Sequence, residues 1–312
     1  MKRKTVGIHK VATAALFTVG NLLLRYPWRD TESNALLLFL LSVLGAWITT
    51  LLLYPLFRKL YRAPMGRSFG RRLGMGLLSL ALGAYALFCV YRCCSDYLRM
   101  SLELILPGGS RLLIVGFFLL CALGIARLNC KGIDHFALFG LVATLFCAIL
   151  LFSFGISHFQ IDFFQPQWRS WELSALGSLP TIWLETALPL TLLILYEALV
   201  IPRGGRKALL TGTAVGGALL LLCVLQVILT FGAVYAAELP YPYAYSARIL
   251  SVGQYFFRLE GLSYLLDFLS CVFRSAVCLA LVGRLARRFF PRLGKNLIIG
   301  CATILFVIFC VG

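Results

Sequence analysis

Apolar residues along this chain gather into long runs, unlike the short alternations of surface strands or the one-sided stripes of soluble helices. A hydrocarbon core about 30 Å thick is crossed by about 20 helical residues. The pattern predicts nine such runs, at roughly 11–27, 35–57, 73–91, 112–128, 136–156, 180–200, 208–236, 261–283 and 295–311. Backbone in lipid must satisfy its own N–H and C=O groups, so each run is expected to be a helix. A β-barrel would show shorter alternating segments, and the sequence has none. The first run follows Lys2, Arg3 and Lys4 as a signal peptide would. It lacks a small-x-small cleavage site and ends in Leu24–Arg25–Tyr26–Pro27, so it is expected to be a retained helix. With no linker or low-complexity stretch, 1–312 reads as a single transmembrane domain.

Composition agrees with this reading. The chain is 61% hydrophobic and 13% charged, against about 45–50% and about 25% in soluble domains. Its net charge of +17 suggests nucleic acid until the charges are placed. With alternate loops assigned to opposite sides, one side holds the N-terminus with Lys2, Arg3, Lys4 and Lys10, and the segments 58–72, 127–135, 203–207 and 284–295. That side carries most of the 29 Lys and Arg residues and one acid, Asp134; the other side is balanced. By the positive-inside rule the N-terminus is cytoplasmic and, after nine spans, the C-terminus lies outside. The basic residues are topology signals whose expected partners are membrane lipids, not nucleic acid. The eleven cysteines are scattered through the apolar runs, and no Cys/His spacing suits zinc. Neither a metal nor any other cofactor is expected.

Charges inside a membrane are costly and therefore mark candidate sites. Glu185 and Glu197 fall in the sixth run, Asp267 and Arg274 in the eighth. Glu197, near Pro202 and Arg203, reads as a carboxylate snorkelling to the interface. Asp267 and Arg274 are two helical turns apart on one face, with Glu260, Tyr264 and Cys271 on the same stripe. Arg274 is expected to face the interior, paired with Asp267 or Glu185. Pro189 follows Glu185 and Thr186 and would free a backbone carbonyl one turn earlier. Gly20–Asn21 interrupts the first run similarly, and paired interruptions in equivalent helices point to a transporter-type site. These features predict a small polar pocket among spans one, three, six and eight. Gly20, Asn21, Tyr85, Glu185, Thr186, Pro189, Asp267 and Arg274 are its candidate ligand-binding residues. Gly212 and Gly216 have the G-x-x-x-G spacing of close helix packing. The aromatic-rich segments 157–179 and 238–260 read as surface-lying helices, or in the second case as a lid. No phosphate-binding loop, zincin, nucleophile-elbow or dinucleotide motif occurs, and His9, His135 and His158 are far apart, so an enzyme is not expected.

The second half resembles the endospore germination permease family, the B-type subunits of nutrient germinant receptors within the amino acid–polyamine–organocation superfamily. The likeness runs from Tyr241–Pro242 through Arg248, Gly253 and Arg258–Leu259–Glu260 to Arg274. Glu260 stands where the family usually has Asp. Glu185 matches an acidic position of the sixth span, and Gly20 and Pro27 resemble the first helix. The likeness covers most of the chain and is most specific over about 180–290. It implies an all-α, inverted-repeat, transporter-like fold. The first repeat would span about 8–156 and the second about 180–312, with the last helix of a 5+5 arrangement apparently missing. It also implies recognition of a small-molecule nutrient, typically an amino acid, in the inner membrane of the spore. The implied partners are an A-type membrane subunit and a C-type lipoprotein. The rival readings are a secondary amino acid or cation transporter and a structural membrane scaffold.

Overall fold

The computed structural model describes residues 2–20, 35–62, 69–164, 177, 179–200, 205–250 and 259–289, and these residues form no strand. The helices are α1 (Lys2–Val19), α2 (Ala35–Arg62), α3 (Phe69–Met100), α4 (Arg111–Arg127), α5 (Cys130–Gly155), α6 (Leu179–Val200), α7 (Gly205–Phe231), α8 (Ala233–Glu238), α9 (Pro242–Ile249) and α10 (Glu260–Phe289). Six of them, α2, α3, α5, α6, α7 and α10, are long and apolar enough to cross a membrane. α1 and α4 supply shorter apolar helices, and the ninth expected span, 295–311, lies outside the described residues. The protein is an integral membrane protein of all-α architecture.

α3 outruns its apolar run, because polar residues on its extension are buried against protein. α3 was expected to end at 91, but it continues to Met100 and into a π turn over Ser101–Ile105. Cys93, Cys94 and Asp96 on this extension are buried, so hydropathy falls where the helix is still inside the protein. α7 ends earlier than expected, because Gly232 at φ +75° separates it from α8. That left-handed conformation strains any residue with a Cβ.

Contacts fix the helix directions. Gly212 of α7 faces Val11 and Ala14 of α1, and Gly216 faces Ala15 and Thr18, so α1 and α7 run parallel. A Cβ at either glycine would overlap α1 backbone or side chain, so this stripe of small residues is what lets the two helices touch. Gly217 packs on Val43 of α2, and Trp47 donates its Nε1–H to the Leu210 carbonyl at 3.2 Å, which makes α2 antiparallel to α7. α5 runs with α1, as Asp134 meets Lys10 and Gly140 meets Leu16. α10 runs against both α1 and α3: Ser270 and Arg274 reach Gly20 and Phe17, and Phe268 packs on Tyr97.

α10 occupies the centre, with an unbroken buried stretch from Ser270 to Leu281. The outer helices turn apolar side chains outward, including Leu52 and Leu56 on α2, Leu113, Phe117 and Leu120 on α4, and Phe139 and Phe146 on α5. In water such a surface would aggregate; against acyl chains it is at home. The segment 238–260 does not lie at the surface over its described part. α9 packs between α7 and α10 with Tyr243, Ala244 and Ala247 buried. Ile161–Phe164 forms a 3-10 turn against α7, and most of the aromatic segment that follows is outside the described residues.

Candidate functional site

The site begins with the end of α1. Its last turn closes with Gly20 N–H donating to the Leu16 carbonyl, and Gly20 adopts φ +39°. The helix stops there, leaving its final carbonyls without intrahelical donors. α10 supplies the donors. Arg274 donates from Nε to the Phe17 carbonyl at 3.0 Å, and from Nη2 to Phe17 at 2.8 Å and Thr18 at 3.0 Å. Ser270 donates its hydroxyl to the Gly20 carbonyl at 2.8 Å. The guanidinium also lies over the Phe17 ring, 5.3 Å from its centroid. A cation at the negative end of a helix is electrostatically favourable. A Cβ on Gly20 would overlap the guanidinium, so the left-handed backbone and the arginine require the same glycine.

The expected carboxylate partner of Arg274 is therefore corrected. Neither Asp267 nor Glu185 pairs with it, because the end of α1 provides backbone acceptors that hydropathy does not reveal. Glu185 is paired instead with Arg92 of α3, whose Nη2 donates to its Oε1 at 2.9 Å with both side chains about one-quarter exposed. Arg92 was missed because the apolar run of α3 stops at 91. Its spacing from Tyr85, Phe88 and Cys89, on one helical face, was the available signal. Pro189 sits inside α6, which runs unbroken from Leu179 to Val200; with no N–H to donate, it leaves the Glu185 carbonyl without its intrahelical donor, as expected, but does not break the helix.

Beside the Arg92–Glu185 pair is a cavity of about 130 Å³. Tyr85, Phe88, Cys89, Arg92 and Cys93 of α3 form one wall, Leu184, Glu185, Leu188 and Pro189 of α6 another, and Arg274 of α10 its floor. Of the eight candidates, the structure brings Tyr85, Glu185, Pro189 and Arg274 to this cavity, with Gly20 directly behind Arg274. Thr186 is buried on α6, and its hydroxyl donates to the Ile182 and Trp183 carbonyls of its own helix. Asn21 lies outside the described residues. Asp267 does not line the cavity. It is 1% exposed, and neither carboxylate oxygen has a hydrogen-bond partner among the described residues. Cys223 and Tyr243 are among its polar neighbours. Outside the spans, burial pushes the Tyr243 phenol well above its ordinary pKa, so it is a neutral hydroxyl.

A second polar cluster sits midway along α1. Lys10 lies 2.8 Å from Asp134 of α5 and 3.1 Å from Glu197 of α6, and Thr13 donates to Asp134 at 2.9 Å. Glu197 is buried rather than snorkelling, because a lysine inside the bundle meets it there. Nearby, Arg284 stacks 4.1 Å over the Tyr196 ring. Lys10 and Asp134 read in the sequence as loop charges; they are ion-paired partners largely buried inside the helix bundle.

A helix that stops beside a partly open cavity bearing both charge signs, in an all-helical membrane bundle, is the kind of arrangement that transporter-type sites use. A profile of the spore germination protein family matches residues 14–312, and the chain belongs to that family. Among solved structures, a Na+-coupled sialic acid symporter, described as substrate-bound and outward-open, is similar with a TM-score of 0.64. Identity is 14%, and the match covers 98% of this chain and 73% of that one, so the fold is transporter-like. No curated protein sequence matches.

Proposed function

We propose that this chain is the B-type, nutrient-recognising subunit of a spore germinant receptor. It would act without catalysis in the spore inner membrane, with its N-terminus cytoplasmic and an A-type membrane subunit and a C-type lipoprotein as partners. The observation that carries the reading is the cavity between α3, α6 and α10, which brings both charge signs to one small space. Its volume of about 130 Å³ corresponds to roughly four water molecules, room for a small amino acid. The ligand carboxylate would be held by Arg92, with Arg274 supplying positive field from below, and the ammonium by Glu185. Such charge-assisted bonds are about twice as strong as neutral ones.

The test is binding of the standard amino acids, one at a time, to the purified chain, followed by a germination dose–response. Glu185→Gln should need about tenfold more of the active amino acid, or worse. Undiminished affinity in Glu185→Gln would remove the cavity from ligand recognition. The second reading, a secondary amino acid or cation transporter, is favoured by Asp267, a buried carboxylate with no partner among the described residues. A transporter would use such a group to carry a proton or cation. Uptake into proteoliposomes that is abolished by Asp267→Asn would decide for it.

A further inference from the structure

A guanidinium taken out of water is ordinarily matched by a carboxylate, because its desolvation is otherwise too costly. Arg274 departs from that rule. It is 4% exposed and has no acidic partner among the described residues; its hydrogen bonds end on neutral backbone oxygens, those of Phe17 and Thr18. The Gly20 carbonyl and the Ser270 hydroxyl, joined at 2.8 Å, adjoin the same place, since a Cβ on Gly20 would overlap the guanidinium. Four oxygens from two helices are thus brought together where α1 stops. Carbonyls at the broken end of a membrane helix are what hold a bare monovalent cation inside the membrane, where they replace its hydration shell. An ion site also needs an entry path, and Arg274 is the floor of the cavity between α3 and α6.

We infer that the end of α1 is a monovalent-cation site whose ion is built into the chain: the Arg274 guanidinium stands where an alkali ion would be bound. A helix end by itself needs only donors, which a serine or asparagine side chain supplies without burying a charge. A full positive charge surrounded by neutral oxygens is what a carbonyl cage accommodates. The consequence is mechanical. A free ion can leave and let its helices part, whereas a tethered one holds α1 on α10 at any Na+ concentration. The stability of the chain should therefore be indifferent to Na+, and removing the side chain should make it depend on Na+. This goes beyond the nutrient reading of the cavity and does not use it, so either can fail alone.

Thermal unfolding of the full chain in detergent tests this, in NaCl or N-methyl-D-glucamine chloride at equal ionic strength. The parent chain should melt at the same temperature in both. Arg274→Ala, which opens the space between the carbonyls, should melt lower than the parent. It should regain about 2–4 °C in about 300 mM NaCl relative to N-methyl-D-glucamine chloride, in a saturable titration. Methylguanidinium, the lost group as a free ion, should restore it likewise. Adding Ser270→Ala removes one of the four oxygens and should raise the NaCl concentration for half recovery about fivefold. An Arg274→Ala chain no more responsive to Na+ than the parent would overturn the inference and leave Arg274 a helix cap. So would a response in Arg274→Ala that Asp267→Asn abolishes and Ser270→Ala does not alter, since the ion would then sit elsewhere. If Arg274→Ala does not accumulate, Arg274→Lys and Arg274→Gln decide. The lysine variant, still a tethered cation, should be the more stable of the two and indifferent to Na+. A glutamine variant as stable as the lysine one would show that the charge has no part in the site.

Discussion

Replacing Arg274 by Met tests whether a side chain of α10 caps the broken end of α1. The substitution keeps an unbranched side chain of similar length and removes three hydrogen bonds, two to the Phe17 carbonyl and one to Thr18. Both carbonyls are then orphaned among buried residues, at about 1–3 kcal/mol each, so about 2–6 kcal/mol in total. Part is returned, because a guanidinium no longer has to be desolvated and its partners were neutral groups. A net loss of about 2–4 kcal/mol follows, which should appear as a melting point lower by several degrees in detergent-solubilised protein. Arg274→Lys, with a single ammonium for two carbonyls, should fall between. A stricter version uses Gly20. In the parent chain Gly20→Ala places a methyl on the guanidinium and strains a left-handed backbone. In the Arg274→Met background the overlap is with one flexible terminal methyl that can swing aside, so little beyond the strain of about 1–2 kcal/mol remains. The two substitutions should therefore be less damaging together than the sum of their separate effects. An unchanged melting point for Arg274→Met, or strict additivity with Gly20→Ala, would refute the cap.

Three further outcomes follow from the geometry. Gly216→Leu should abolish accumulation of folded protein, since its side chain meets Ala15 and Thr18, whereas Gly83→Ala, with open space around it, should be neutral; fluorescence-detected size-exclusion profiles read both. Lys10→Met strands Asp134 and Glu197 and should cost about 3–5 kcal/mol, with thermal stability recovering when Asp134→Asn and Glu197→Gln are added; failure of that rescue would show that the lysine acts by packing. In a cysteine-free background, Gly108→Cys should be labelled by an impermeant thiol reagent from outside and Lys131→Cys only after permeabilisation, and the reverse pattern would invert the proposed topology.

The succession of helices was legible in the sequence because lipid imposes a simple rule on composition: a spanning helix must be apolar for about 20 residues. That rule located α2, α5, α6, α7 and α10 and the stripe of Gly212 and Gly216, whose lack of side-chain volume is itself the packing signal. It also singled out Glu185 and Arg274, since a charge in an apolar run is conspicuous whatever its surroundings. Hydropathy failed where a polar group faces protein instead of lipid. Arg92, Lys10 and Asp134 were placed beyond the ends of spans, yet each lies on a helix that continues because a neighbour neutralises it. Which charge pairs with which was decided only by tertiary structure. Arg274 shares a helix with Asp267 and a membrane with Glu185, but the end of α1 lies closer, and backbone carbonyls carry no mark in the sequence. Pro189 shows the converse: a residue that can break a helix did not, because a missing backbone donor is tolerated where the flanking helix is held by its packing.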